Sequence, residues 1–160
     1  MNQKFKHNWV LWYHHDKDNW KLSGYKQLYT IKTIADFWKL YNNFDKINIT
    51  SKHLCLMKEG VTPLWEDDNN VNGGCWSFRI NDDSALELWE TLSVYLVSEE
   101  LHINNQNDIV GLSICMKKNN NMDLKIWNRD SKNNSLKNIN GDILKKWGTD
   151  IIYIAHMVNS

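Results

Sequence analysis

The sequence predicts an α+β fold built on a largely antiparallel, curved sheet. Three observations predict it. Strand-like runs outnumber helical ones, and the helices interrupt the strands singly instead of alternating with them. Two neighbouring strand-like runs, Ile109–Met116 and Met122–Trp127, flank the Asn119-Asn120-Asn121 turn as a hairpin.

The elements follow in order. Trp9 to His15 is an aromatic, β-prone run, and Tyr25 to Ile31 is a second one after the turn residues Ser23-Gly24. Residues 1–8 ahead of them are expected to be a flexible tail on a single domain spanning 1–160. Thr33 then opens a helix: its hydroxyl can cap, Asp36 sits at the reciprocal position, and Ile34, Phe37, Trp38 and Tyr41 recur at helical spacing. Leu40 and Phe44 widen that stripe. Strands are expected at His53–Met57 and Trp76–Ile80. A second capping pattern, Ser84 with Glu87 three residues on, predicts a helix to about Glu100. A third helix over Ser135–Trp147, closed by Gly148, and a last strand over Ile151–Ile154 complete the chain. No internal repeat or linker divides it.

Composition narrows the function. A chain of 160 residues suits one domain with a sizeable core. Its formal net charge of zero argues against a broad nucleic-acid groove, which needs excess positive charge, but leaves room for a local basic patch against one short phosphorylated ligand. Cys55, Cys75 and Cys115 lack zinc-site spacing and are odd in number, so reduced thiols in a cytoplasmic protein are expected. No stretch is long and apolar enough for a membrane span, and Met1 to His7 has no apolar signal core.

Catalysis finds no support in the motifs: no nucleophile elbow, phosphate-binding glycine loop or helical metal-ligand pair is present. His14-His15-Asp16 is a poor metal cluster, because adjacent strand residues point to opposite faces. Asp67-Asp68 is expected to be simply solvated. No cofactor is implied. The informative segment is Pro63-Leu64-Trp65-Glu66-Asp67, followed by Gly73-Gly74-Cys75-Trp76. An indole beside a carboxylate can stack on a flat ring and hydrogen-bond its edge. Nine tryptophans exceed what a core of this size needs, so some are available to a ligand.

Taken together, Trp9-Val10-Leu11-Trp12-Tyr13, Trp20, Asp36-Phe37-Trp38, Pro63 to Asp67, Gly73 to Trp76, Glu90-Thr91-Leu92 and Lys125-Ile126-Trp127 resemble, in order and spacing, the eukaryotic translation initiation factor 4E family of messenger-RNA cap-binding proteins. The resemblance covers about Trp9 to Ile154. It implies about three helices on the convex face of the sheet and a cap pocket on the concave side. It implies that Trp20 and Trp65 sandwich the positively charged 7-methylguanine, each face contributing about 1–3 kcal/mol by analogy with other base stacking. Glu66 would accept from the guanine edge, the backbone N–H of Trp65 would meet the base carbonyl, and Trp127 would lie against the methyl group.

The phosphate end departs from the family pattern. Cys75 stands where an Arg is typical, Lys117 corresponds to a second Arg, and Asp123 falls near the place of a phosphate-binding Lys. Lys117 and Lys125 are therefore the candidate phosphate contacts, with a small affinity gain expected from cap monophosphate to triphosphate. The family also docks a scaffold or repressor helix bearing Tyr-x-x-x-x-Leu-hydrophobic, which by resemblance would use Ile34, Trp38, Trp89 and Glu90. Ser93 replaces an expected Leu there, and the His-Pro pair usual upstream of the first strand is missing. The resemblance thus implies a monomeric cap-binding protein linking capped mRNA to a scaffold. The alternatives are a cap-binding repressor or decoy, and an aromatic platform for a protein or sugar.

Overall fold

Side-chain alternation along seven strands sorts this chain onto two faces of one sheet. The computed structural model describes residues 3–46, 53–148 and 150–157, without the side chains of Asp45 and Lys118. The strands are β1 (Lys4–His14), β2 (Tyr25–Thr33), β3 (His53–Lys58), β4 (Gly74–Asn81), β5 (Ile109–Met116), β6 (Asn121–Asn128) and β7 (Ile151–Ala155). They lie in the order β2-β1-β3-β5-β6-β4-β7. Every neighbouring pair is antiparallel. The expected α+β, antiparallel architecture is the one found.

One face carries Trp9, Leu11, Leu54, Leu56, Trp76, Phe78, Leu112, Ile114, Leu124 and Ile126, all buried against the helices. The helices are α1 (Ile34–Asn42), α2 (Asp82–Val97) and α3 (Gly141–Trp147). Their inward residues include Phe37, Leu88, Trp89, Leu92 and Ile143. The opposite face buries a smaller apolar set that includes Val10, Trp12, Cys55, Met57, Cys75 and Trp127. This second face holds the pocket described below.

The α1 capping box forms as expected. The Asp36 N–H donates to Thr33 Oγ1 at 3.1 Å, and the Thr33 N–H donates to Asp36 Oδ2 at 3.1 Å. The second box does not form. Helix α2 begins two residues before Ser84, with Asn81 at the N-cap position making no side-chain cap bond and with Asp82 and Asp83 placed against the positive end of the helix dipole. It ends at Val97, and Glu99 turns the chain with a left-handed φ of 63°. The predicted third helix is split. A 3-10 turn over Leu136–Asn138 precedes α3, because the Asn140 side chain accepts from the Asp142 N–H at 2.9 Å and starts the helix afresh there.

Two expectations need correction. Residues 1 and 2 of the expected tail lie outside the described residues, but from Lys4 the chain is already strand. Lys4 pairs with Thr33, and Phe5 packs edge-on to Phe37 with ring centroids 6.5 Å apart, which is why this segment is held to the sheet. Trp89 cannot face a partner. It is 0% exposed, because the sheet-facing residues of α2, Ala85, Leu88, Leu92 and Leu96, recur at helical spacing around it. Ser93 is equally buried: it accepts from the Tyr41 hydroxyl at 2.5 Å and donates to the Trp89 carbonyl at 2.7 Å. Its substitution therefore leaves the outer helix surface untouched. Trp38, by contrast, is 45% exposed, with Ile34 and Glu90 half-buried.

Trp89→Ala should lower unfolding free energy by about 3–5 kcal/mol, whereas Trp38→Ala should change it by no more than about 1 kcal/mol. Urea denaturation of the two variants measures this, and equal losses would contradict the placement of Trp38.

Candidate functional site

A cavity of about 440 Å³ opens on the second face of the sheet, lined by residues from five strands, two loops and the bend after β7. Its size falls in the range of small-ligand sites. Trp127 forms part of its lining at 8% exposure, and its indole N–H donates to Ser113 Oγ at 3.0 Å, so the buried nitrogen is satisfied. The two loops bring Trp20 and Trp65 to the same cavity. Those two indoles are 57% and 45% exposed.

Local chemistry explains why each loop holds its tryptophan out. In the first, the carbonyl of Asn19 can only accept, so His14 Nε2 carries a proton and donates to it at 2.8 Å. The Asn19 side chain accepts from the Lys21 N–H at 3.0 Å and donates to Ser23 Oγ at 2.9 Å. Gly24 closes the loop at a point where an added Cβ would stand 2.0 Å from the Asn19 oxygen, so no side chain fits. Trp20 rests on the His14 ring at 4.2 Å, and His14 stacks on Tyr25 at 4.5 Å. Those bonds commit His14 to the loop, and no group of three metal-ligating residues exists among the described residues.

The second loop is organised by Asp67, which is not the merely solvated acid expected from sequence. Its carboxylate accepts from the Thr62 N–H (2.9 Å), the Thr62 hydroxyl (2.7 Å), the Asn69 N–H (2.8 Å) and the Asn69 amide (3.0 Å). Burial works to raise its pKa, but these donors prevail and hold it below the usual value. Buried Asn70 donates to the carbonyls of Thr62 and Leu64. With the backbone so tied, Trp65 and Glu66 project as exposed neighbours and both line the cavity.

The cavity is electrically uneven. The charge of Glu66 reaches Tyr25, whose pKa is raised by burial first, then by Cys55 and Glu66. Lys125 lines the other part, where its charge acts on Cys75, His53 and His156. Burial pushes the Cys75 thiol up to about 12, so it is a neutral group where the family pattern has a cation. Asp123 accepts from the Ser77 hydroxyl and lies 3.9 Å from Lys125 Nζ, partly offsetting it. Lys117 is not in the lining. It is exposed just past the end of β5, its charge reaching His53 and Cys115.

Three aromatic lining residues were not expected from sequence: Tyr25, His53 and His156. His53 shares strand parity with Cys55, the one signal that could have found it. His156 lies 4.9 Å from Trp127 through the pairing of β7, which no local pattern announces. Burial lowers both histidines to about 4, and for His53 the nearby His14, Lys125 and Lys117 add to the effect.

The sequence pattern of the eukaryotic initiation factor 4E family matches residues 4–156. The chain belongs to that family. Among curated 4E proteins, the initiation factor NCBP of Triticum aestivum is 31% identical over 76% of this chain and 54% of its own length. Initiation factor 4E of Candida albicans is 29% identical over 86% of this chain and 69% of its own. The chain thus spans about half the length of the first relative. Among solved 4E structures, eIF4E-3 of Ascaris suum in complex with an m2,2,7G cap superposes with a TM-score of 0.82 at 28% identity, covering 100% of this chain and 94% of that one. The eIF4E-3 of C. elegans, in complex with the 4E-binding protein Mextli and a cap analog, shares the fold, with a TM-score of 0.83 at 24% identity over 98% of this chain and 94% of that one.

Both pocket histidines bind protons less readily folded than unfolded, where a value near 6.5 applies. Stability is therefore held above about pH 6.5 and lost as pH falls toward 4, since the unfolded chain binds more protons in that window. His53→Gln should flatten the fall in melting temperature between pH 6.5 and pH 5. Parallel wild-type and variant profiles would contradict a neutral, half-buried His53.

Proposed function

We propose that this protein binds the 7-methylguanosine 5′ cap of messenger RNA and links it to a scaffold protein for translation initiation, as a cytoplasmic monomer that binds without turnover. The observation that carries the reading is the pair of half-exposed indoles, Trp20 and Trp65, meeting at one cavity beside Glu66. A fold gains nothing from leaving two tryptophans in water; a flat cationic ring between them recovers stacking and cation–π attraction. Glu66 reads the guanine edge and offsets the base charge, while Trp127 meets the methyl group. Lys125 receives the first phosphates, with Lys117 acting at the rim. A solved relative, the Ascaris suum eIF4E-3, is bound to an m7G cap at 27% identity and a TM-score of 0.81, which supports the assignment.

The same reading gives the outer helix surface to a partner. Trp38, Ile34 and Glu90 offer an apolar and acidic patch on which an amphipathic Tyr-x-x-x-x-Leu-hydrophobic helix of a scaffold or repressor would lie. It stands on the far side of the sheet from the cavity, so the two ligands do not compete for space.

Titration of the full chain with 7-methyl-GTP and with GTP tests the pocket. The methylated nucleotide should bind tighter, and Trp20→Leu or Trp65→Leu should each weaken it by about 1–3 kcal/mol. Glu66→Gln should weaken it with an unchanged circular dichroism spectrum, and wild-type affinity in that variant would remove Glu66 from the site. Equal affinity for GTP would favour a general aromatic platform instead. For the partner face, Trp38→Ala should abolish capture of a Tyr-x-x-x-x-Leu peptide while the 7-methyl-GTP affinity stays as in wild type.

A further inference from the structure

Strand alternation carries the pocket face beyond the pocket itself. On β4, Cys75 lines the cavity, and Ser77 and Arg79 continue its side of the strand, while Trp76, Phe78 and Ile80 turn into the core. On β7, Ile154 lines the cavity and Ile152 follows on the same side, in register with Ser77. These two isoleucines are 48% and 60% exposed. Across the β4–β6 ladder, Ser77 stands opposite Lys125 and Arg79 opposite Asp123. A strip about 13 Å long therefore leads from Cys75 to Arg79, leaving the cavity at its cationic end.

Arg79 is exposed, and among the described residues no side-chain hydrogen bond or ion pair holds its guanidinium. The carboxylate opposite is engaged elsewhere, accepting from Ser77 and lying 3.9 Å from Lys125. Lys125 is thus partly offset, and Arg79 is the next cation outward along the strip.

We propose that this strip holds the ribose–phosphate chain that follows the capped nucleotide, with Arg79 pairing with a phosphate and Ile152 packing against the next nucleoside. The inference rests on the cap-binding reading and adds to it. Continuity with the cavity names the occupant, since Ser77 and Ile152 are the next positions on this face beyond the cavity-lining Cys75 and Ile154. The chemistry agrees: a guanidinium beside an exposed aliphatic side chain suits alternating phosphates and apolar ring faces. The binding energy that Cys75 and Asp123 withhold from the cap phosphates is recovered from the RNA beyond them.

The test compares the full chain's affinity for 7-methylguanosine monophosphate and for a capped pentanucleotide, at two salt concentrations. The pentanucleotide should bind several-fold tighter. Arg79→Ala should cut the ratio of the two affinities about fivefold and make the pentanucleotide's salt slope shallower by about 0.7. Ile152→Ser should cut the ratio while leaving the salt slope alone. Both side chains are exposed, so the variants retain the fold. A wild type with equal affinity for both ligands, or variants that keep the wild-type ratio, would overturn the strip while the cap pocket stands. Failure of the wild type to bind either ligand would overturn the cap-binding reading and the strip with it.

Discussion

Everything at the candidate site depends on the β4–β6 ladder, eight paired positions from Gly74 opposite Asn128 to Asn81 opposite Asn121. Its register places Trp76, Phe78, Leu124 and Ile126 against the helices and Cys75, Ser77, Lys125 and Trp127 on the pocket face. A slip of one residue would exchange the two sets, so core burial enforces the position of each pocket side chain. The ladder is pinned at one end by Asn128, which is fully buried. Its side-chain oxygen accepts from the Gly74 N–H at 3.1 Å and the Tyr153 hydroxyl at 2.7 Å, and its amide donates to Asp108 at 3.0 Å. One residue thereby joins β4, β6, β7 and the turn before β5. Gly73 passes so close to it that an added Cβ would stand 1.9 Å from the Asn128 carbonyl oxygen.

The two tryptophan loops are the second layer of this design. Each is closed by hydrogen bonds from short polar side chains, Asn19 in one and Asp67 with Asn70 in the other. Such closure costs conformational entropy at folding, so that less is lost when a ligand arrives. The cavity they frame is lined by neutral groups, the buried Cys75 thiol and two half-buried histidines that desolvation keeps uncharged, with Lys125 at one part and Glu66 at another. A ligand there is held mainly by stacking and edge recognition, and its anionic portion must look outward for charge.

Much of this architecture is legible in the order of the amino acids. All seven strands and the helix α1 declare themselves through aromatic and β-branched runs and through the Thr33–Asp36 pair, because those signals are local and strong. Boundaries are less legible. Asn140 takes over the start of α3, since a short amide can cap wherever the chain turns, and α2 starts at Asp82 on its two acidic residues with no side-chain cap. Phe5 draws the expected tail into β1 through a contact with α1 that no run of residues reveals.

Sequence by itself determined which side chains could hold a flat, charged ring: the adjacency of Trp65 and Glu66 and the isolated Trp20 are visible because their meaning lies in chemistry and spacing. Only the tertiary structure decided which tryptophans are free to use. Trp38 and Trp89 both sit on helices among apolar neighbours, yet one is half in water and the other is sealed beneath α2, because burial is set by what packs against a helix face. The same holds for His53, His156 and Arg79. Their places on the pocket face follow from pairings between strands that are distant in the chain, and a pairing of that kind is a property of the whole sheet.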